Sequence, residues 1–144
     1  MQAFHLPDAG TKSYYEALRS EENISFASIE SKLDQNTSLG RARWGAFKMK
    51  CSKFESTPLQ KLETFKQGRN ALEQEIKQHQ MNVEYRFLRL VIQEHVPSYL
   101  RYKSNIEEDA EFIVTHFDLL PKPLQGIVLN YASKSNALTA EKLQ

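Results

Sequence analysis

The sequence predicts an all-α protein, either a bundle or a short solenoid-like array of about seven antiparallel helices. Apolar residues recur at helical spacing along most of the chain, and no segment alternates between apolar and polar residues as a half-buried strand would. The 144 residues include only five glycines and five prolines, which indicates few tight turns. A chain of this length is typical of one domain and buries a core without disulfide or metal staples.

The longest amphipathic pattern covers residues 59–92 and predicts two helices joined by a turn at His79–Asn82. Because neither helix buries its apolar stripe alone, we expect a helical hairpin on which the other segments pack. Thr57 is a suitable N-cap for the first helix, and Pro58 fits its first position. The two stripes are Leu59, Leu62, Phe65, Leu72 and Ile76, then Val83, Phe87, Leu90 and Val91.

Three helices are predicted before this hairpin, the first starting at Thr11 or Ser13, the others at about 25–35 and 39–54. Glycine inside a helix costs about 1 kcal/mol relative to alanine, so Gly45 indicates a close neighbour. The predicted buried positions are Tyr14, Tyr15 and Leu18 on the first helix, Phe26, Ile29 and Leu33 on the second, and Leu39, Ala42, Trp44, Ala46, Phe47 and Met49 on the third.

Two helices are predicted after the hairpin. The first starts at Ser104 or Asn105, and the acids at 107–109 suit the positive end of its helix dipole. The second covers about 123–133. Residues 1–133 are therefore predicted to form a single helical domain. Residues 134–144, KSNALTAEKLQ, are mostly polar and are predicted to form a flexible C-terminal tail.

The segment FKQGRNALEQEIKQHQMN, residues 65–82, resembles the second helix of a tetratricopeptide repeat and the turn after it. In that family a small residue lies where two helices cross, and a large apolar residue follows four positions later. Gly68 and Leu72 match these positions, whereas Glu75 and Gln80 stand where the family has a small residue and a proline. The resemblance implies a close helix crossing at Gly68.

A broader pattern, with YYEAL near the start and EYRFLRLVIQ and PSYLRYKSNIEED later, is similar to a family of small uncharacterised helical proteins of gram-negative bacteria. These proteins usually carry an export signal. The resemblance implies an all-helical fold and a periplasmic or otherwise exported mature form, with the cytoplasm as the alternative. It implies no activity. In such relatives we expect a glycine near Arg101.

The near-zero net charge of the chain excludes a strong overall electrostatic field. Nineteen lysines and arginines against eighteen acids give a net charge of +1, so the overall balance favours neither nucleic acid nor membrane. The basic stretch 41–77 carries nine cations and four glutamates, and aromatic residues interleave it as in nucleic-acid surfaces. Since those aromatics also lie at core spacing, a solvated face or one that docks an acidic protein is the preferred interpretation.

The sequence predicts no catalytic, cofactor-binding or metal-binding residue. None of His5, His79, His95 and His116 lies three or four residues from another, as a helical zinc site requires. Cys51 stands beside two lysines that would lower the pKa of a reactive thiol, but a half-buried core position is preferred. No nucleophile elbow or glycine-rich phosphate loop is present.

The leading functional hypothesis is a non-enzymatic protein–protein interaction or scaffold module, because stacked amphipathic helices present grooves to partners. Its candidate partner-binding residues are Trp44, Arg86, Arg89, Tyr99 and Tyr102. The first alternative is a small-ligand-binding protein or hydrolase whose site is assembled only in the fold, which a deep pocket with apolar walls and convergent polar groups would favour. The second is nucleic-acid binding through the basic 41–77 face.

Overall fold

The computed structural model describes residues 9–143, which form eight α-helices and no strand. The all-α prediction is thereby confirmed. The predictions for residues 1–8, including His5, lie outside the described residues. The helices are α1 (Ala9–Arg19), α2 (Phe26–Glu30), α3 (Ser38–Cys51), α4 (Pro58–Gln78), α5 (Val83–His95), α6 (Ile106–His116), α7 (Lys122–Ala132) and α8 (Ala140–Leu143).

The ends of α4 and α5 follow from local side-chain chemistry. Thr57 accepts a hydrogen bond from the Gln60 backbone N–H, and the Gln60 side chain accepts one from the Thr57 N–H, which is a complete capping box. Asn82 caps α5 by accepting from the Tyr85 N–H. The predicted start of α4 and the turn at 79–82 are confirmed.

The closest helix packing joins α3 to α4. Gly45 and Gly68 face each other at this crossing, where a Cβ on Gly68 would lie 2.5 Å from the Gly45 carbonyl oxygen. The predicted close crossing at Gly68 is confirmed, but its partner is α3. Helices α4 and α5 touch less extensively, so the hairpin at 59–92 is not the tightest unit. Its likeness to a tetratricopeptide repeat stays a prediction.

Helix α5 lies at the centre of the described residues and packs on α3, α4 and α6. All its residues from Val83 to Gln93 are buried, including Glu84, Arg86 and Arg89. The predicted apolar stripe is buried, and the opposite, polar face of α5 is buried as well, which the amphipathic pattern does not predict. A helix covered on every side must satisfy its charged residues internally.

The predicted burial of three leucines is wrong, because Leu39, Leu59 and Leu62 are 38%, 64% and 38% exposed. Leu62 lines the edge of a cavity. Helix α2 ends at Glu30 with Ser31 as its C-cap, and a turn at Asp34–Thr37 follows, in which the Thr37 hydroxyl donates to the Asp34 carbonyl oxygen. The helix predicted at 25–35 is therefore shorter.

The C-terminal segment differs from the predicted flexible tail. Leu138 is fully buried in the core, and Leu143 on α8 is buried as well. The Glu94 carboxylate of α5 accepts hydrogen bonds from the Ser135 hydroxyl and the Ala137 N–H. Two apolar residues within a polar segment thus anchor residues 134–143 on the helical body.

Arg101 adopts the left-handed conformation, with φ 53° and ψ 44°, and no other non-glycine residue in the described range has a positive φ. This conformation costs about 1–2 kcal/mol for an L-residue with a Cβ and little for glycine. We expect Arg101→Gly to raise the free energy of unfolding by about 0.5–1 kcal/mol in urea denaturation. Arg101→Ala keeps the Cβ and should change little. A loss of stability in Arg101→Gly would show that the left-handed backbone at Arg101 is not strained.

Candidate functional site

The structure separates the five predicted partner-binding residues. Arg86, Arg89 and Tyr102 are buried and converge on one polar network inside the protein. Trp44 lies on α3, where its indole N–H donates to Glu30 at 2.7 Å and its ring contacts Phe26. Tyr99 is 78% exposed at the edge of a cavity. No single surface therefore contains all five.

Asp109 is the centre of the buried network and is fully inaccessible to solvent. It accepts hydrogen bonds from Arg89 Nε at 2.7 Å and Nη2 at 2.9 Å, and from Arg86 Nη1 at 3.2 Å. Glu73 accepts from Arg89 and from the Tyr102 hydroxyl. Burial lowers the pKa of Arg89, but the two carboxylates outweigh it and raise that pKa. The network joins α4, α5 and α6.

Two further ion pairs use the first arginines of the basic stretch 41–77. Arg43 Nε donates to Glu84 at 2.9 Å, and the Tyr15 hydroxyl donates to the same carboxylate at 2.8 Å. Arg41 donates to Glu75 at 3.0 Å. Burial opposes ionisation of Glu75, yet hydrogen bonds from Arg41 and Ser38 lower its pKa. These arginines hold helices together, and the basic stretch is not one continuous face.

A cavity of about 870 Å³ lies where α1, α3, α5 and α7 end and α4 begins. Five buried apolar side chains form its floor, and these are Leu18, Met49, Phe65, Val91 and Ile92. Leu62 and Tyr99 extend the apolar surface toward solvent. The volume falls within the range of about 300–1,000 Å³ that is usual for small-molecule sites.

Five cations line the same cavity, and these are Arg19, Lys50, Lys53, Lys61 and Lys134; we call them the cationic rim. Within residues 9–143 none of them forms an ion pair, since every ion pair found there uses Arg41, Arg43, Arg86 or Arg89. Lys50 donates a hydrogen bond to the Ser20 carbonyl oxygen. Its pKa is lowered by burial and by the neighbouring charge of Lys53.

Two acids also line the cavity. Glu94 accepts from the Tyr131 hydroxyl at 2.6 Å, besides its bonds to Ser135 and Ala137, so its carboxylate is committed to the C-terminal segment. Glu21 is exposed, and its charge only partly offsets the effects that lower the pKa of Lys50. The cavity lining therefore carries an excess of positive charge above an apolar floor.

Cys51 is half-buried, as the sequence predicts. Burial raises the pKa of its thiol, and Lys50 and Lys53 only reduce that effect. The thiol is therefore protonated near neutral pH. In the described part of the chain no group of three His, Cys, Asp or Glu residues is placed to hold a metal ion, and none of its helices is long and apolar enough to span a bilayer.

The cationic rim is not evident from the sequence, although Lys50, Lys53 and Lys61 belong to the basic stretch. Arg19 and Lys134 are far from that stretch in sequence and join it only through the fold. Leu62 belongs to the predicted stripe of α4, and the pattern does not indicate that it is 38% exposed at the cavity edge. No family model, curated protein or solved structure matches this chain, so the two resemblances stay predictions.

Proposed function

We propose that this protein is a non-enzymatic binding protein that takes up the apolar part of a small molecule in the cavity between the ends of α1, α3, α5 and α7. The observation that carries the proposal is the combination of a concave apolar floor with polar groups gathered around it. Sites of this composition are typical of small-molecule binding. Of the two roles in the first alternative above, small-ligand binding and hydrolysis, we propose binding.

The exposed apolar side chains supply the driving force. Leu62 and Tyr99 are large, solvent-accessible and adjacent to the cavity. Covering apolar surface is worth about 25 cal/mol per Å², and contiguous exposed apolar surface commonly marks an interaction site. A ligand lying between these two residues and the floor would remove both from water.

The hydroxyl groups of the cavity support binding over hydrolysis. Three serines line the cavity. Ser52 donates to the Met49 carbonyl oxygen at 2.7 Å, Ser135 donates to Glu94 at 2.7 Å, and the Ser20 hydroxyl oxygen accepts from the Glu22 N–H at 3.1 Å. None of these hydrogen bonds involves a histidine, and the Nδ1 of His95 is bonded to the Val91 carbonyl oxygen. A serine nucleophile requires an adjacent base. The protein–protein interaction hypothesis agrees with this proposal in being non-enzymatic. Export to the periplasm stays a prediction.

Leu62→Asp tests this proposal with a matched control on the same helix. We expect the neutral fluorescent probe N-phenylnaphthylamine to bind the protein saturably. Leu62→Asp should weaken its affinity about tenfold, or by 1.4 kcal/mol, because a carboxylate would replace apolar surface at the cavity edge. Leu59→Asp, which is exposed but outside the lining, should bind within about twofold of the parent.

Fluorescence titration of the full chain measures these affinities. Thermal unfolding of both variants should resemble that of the parent, because both leucines are exposed. Equal losses in the two variants, or no saturable binding by the parent, would refute a binding role for the cavity.

A further inference from the structure

We propose that the cavity selects an anionic amphiphile, that is, a single alkyl chain bearing a carboxylate or phosphate head. The chain would lie over the apolar floor, and the head would lie at Lys50, Lys53 and Lys61 of the cationic rim. This inference rests on the function proposed above and narrows it to one class of ligand.

The ion pairs of the described residues do not include the cations of the rim. The buried arginines Arg43, Arg86 and Arg89 each have a carboxylate partner, whereas no cation of the rim has one within the described residues. The chain as a whole carries a net charge of only +1. Five such cations line one concave site against only two acids, Glu21 and Glu94, so complementarity there favours an anion.

Lys50 itself also favours an anion. It is only partly exposed, its ammonium group bonds to a backbone carbonyl rather than to an acid, and Lys53 lies nearby. Burial and the like charge both disfavour the ammonium form, which is why the pKa of Lys50 is lowered. A bound anion would offset both effects. Binding of an anion would therefore be favoured by its interaction with the ammonium groups of Lys50 and Lys53.

The cationic rim and the apolar floor are adjacent parts of one cavity. A small hydrophilic anion would leave the exposed apolar side chains Leu62 and Tyr99 in water, and a neutral hydrocarbon would leave the lysines without a counter-charge. An amphiphile satisfies both surfaces in one concave site. Two head groups share this chemistry, a fatty carboxylate and an alkyl phosphate.

The decisive experiment compares ligands of equal chain length. Decanoate, decyl phosphate, decanol and decylamine compete with N-phenylnaphthylamine for the full chain, followed by fluorescence. We expect at least one of the two anions to bind about tenfold or more tighter than decanol, with decylamine the weakest. The tighter anion identifies the head group. Decanol binding as tightly as both anions would overturn this inference but leave the proposed function standing, whereas failure of the probe to bind would refute the proposed function.

Charge variants test the position of the head group. Lys53→Gln/Lys61→Gln should reduce the affinity for the preferred anion about tenfold and leave that for decanol unchanged. Lys66→Gln/Lys77→Gln removes the same charge from exposed positions of α4 outside the cavity and should have no effect. Equal losses in the two double variants would overturn the proposal. Binding of heparin in place of both anionic amphiphiles would overturn it as well.

Discussion

Replacing Asp109 with alanine is expected to lower the free energy of unfolding by about 3–5 kcal/mol. The side chain is fully buried and accepts three hydrogen bonds, two from Arg89 and one from Arg86. Removing one partner of a buried ion pair leaves the other charge without compensation, and that residual charge dominates the loss. Reversible urea denaturation, monitored by circular dichroism, measures the effect.

Glu108 provides the matched control one position earlier on α6. Its side chain is 62% exposed and lies 3.5 Å from Arg86, so Glu108→Ala should cost less than about 1 kcal/mol. Asp109→Asn should fall between the two variants, because the amide keeps an acceptor oxygen but turns a donor toward the guanidinium groups. Similar small losses at both positions would show that the buried network does not stabilise α5 against α6.

The sequence correctly places Asp109 in the first turn of a helix but does not indicate its buried ion pairs. Acidic residues at 107–109 match the first turn of a helix, and the dipole alone explains them. The pairing of Asp109 with Arg86 and Arg89 depends on α5 being covered on all sides, which its own pattern does not indicate. Charged residues on a helix are normally interpreted as its solvent face. Here they form the contact between two helices.

Gly68 shows the opposite case, because the close crossing there was predicted from the resemblance to a tetratricopeptide repeat and is present in the structure. Its partner was not predicted, because any neighbouring helix with a small residue meets the requirement. Gly45 on α3 meets it in the structure. The separate prediction that Gly45 has a close neighbour is the other half of the same contact.

The cavity could not be predicted because its lining comes from five helices and the connections between them. Periodicity assigns Leu62 to a core stripe, yet it does not show whether the facing space contains a helix or solvent. The charges of Lys50, Lys53 and Lys61 were visible in the basic stretch, but Arg41 and Arg43 in the same stretch are used in ion pairs. Only the fold distinguishes paired from unpaired cations.

Gly68→Leu should destabilise the protein by about 1–3 kcal/mol or more, since overpacking forces backbone or rotamer shifts. Even the first added carbon has no room. A Cβ on Gly68 would lie 2.5 Å from the Gly45 carbonyl oxygen and 2.8 Å from the Met49 backbone nitrogen, and these are backbone atoms that move only with α3. Gly68→Ala is therefore also destabilising, and urea denaturation of both variants measures the losses.

Gly126→Ala on α7 is the control with the opposite expected sign. A Cβ there meets nothing within 4 Å, so the substitution should stabilise the protein by about 0.5–1 kcal/mol through helix propensity. The double variant Gly45→Ala/Gly68→Ala completes the test, because both changes separate the same two helices. Its loss should be smaller than the sum of the single losses, as contacting residues are not additive. A neutral Gly68→Leu, or strictly additive single losses, would show that α3 and α4 do not cross at these glycines.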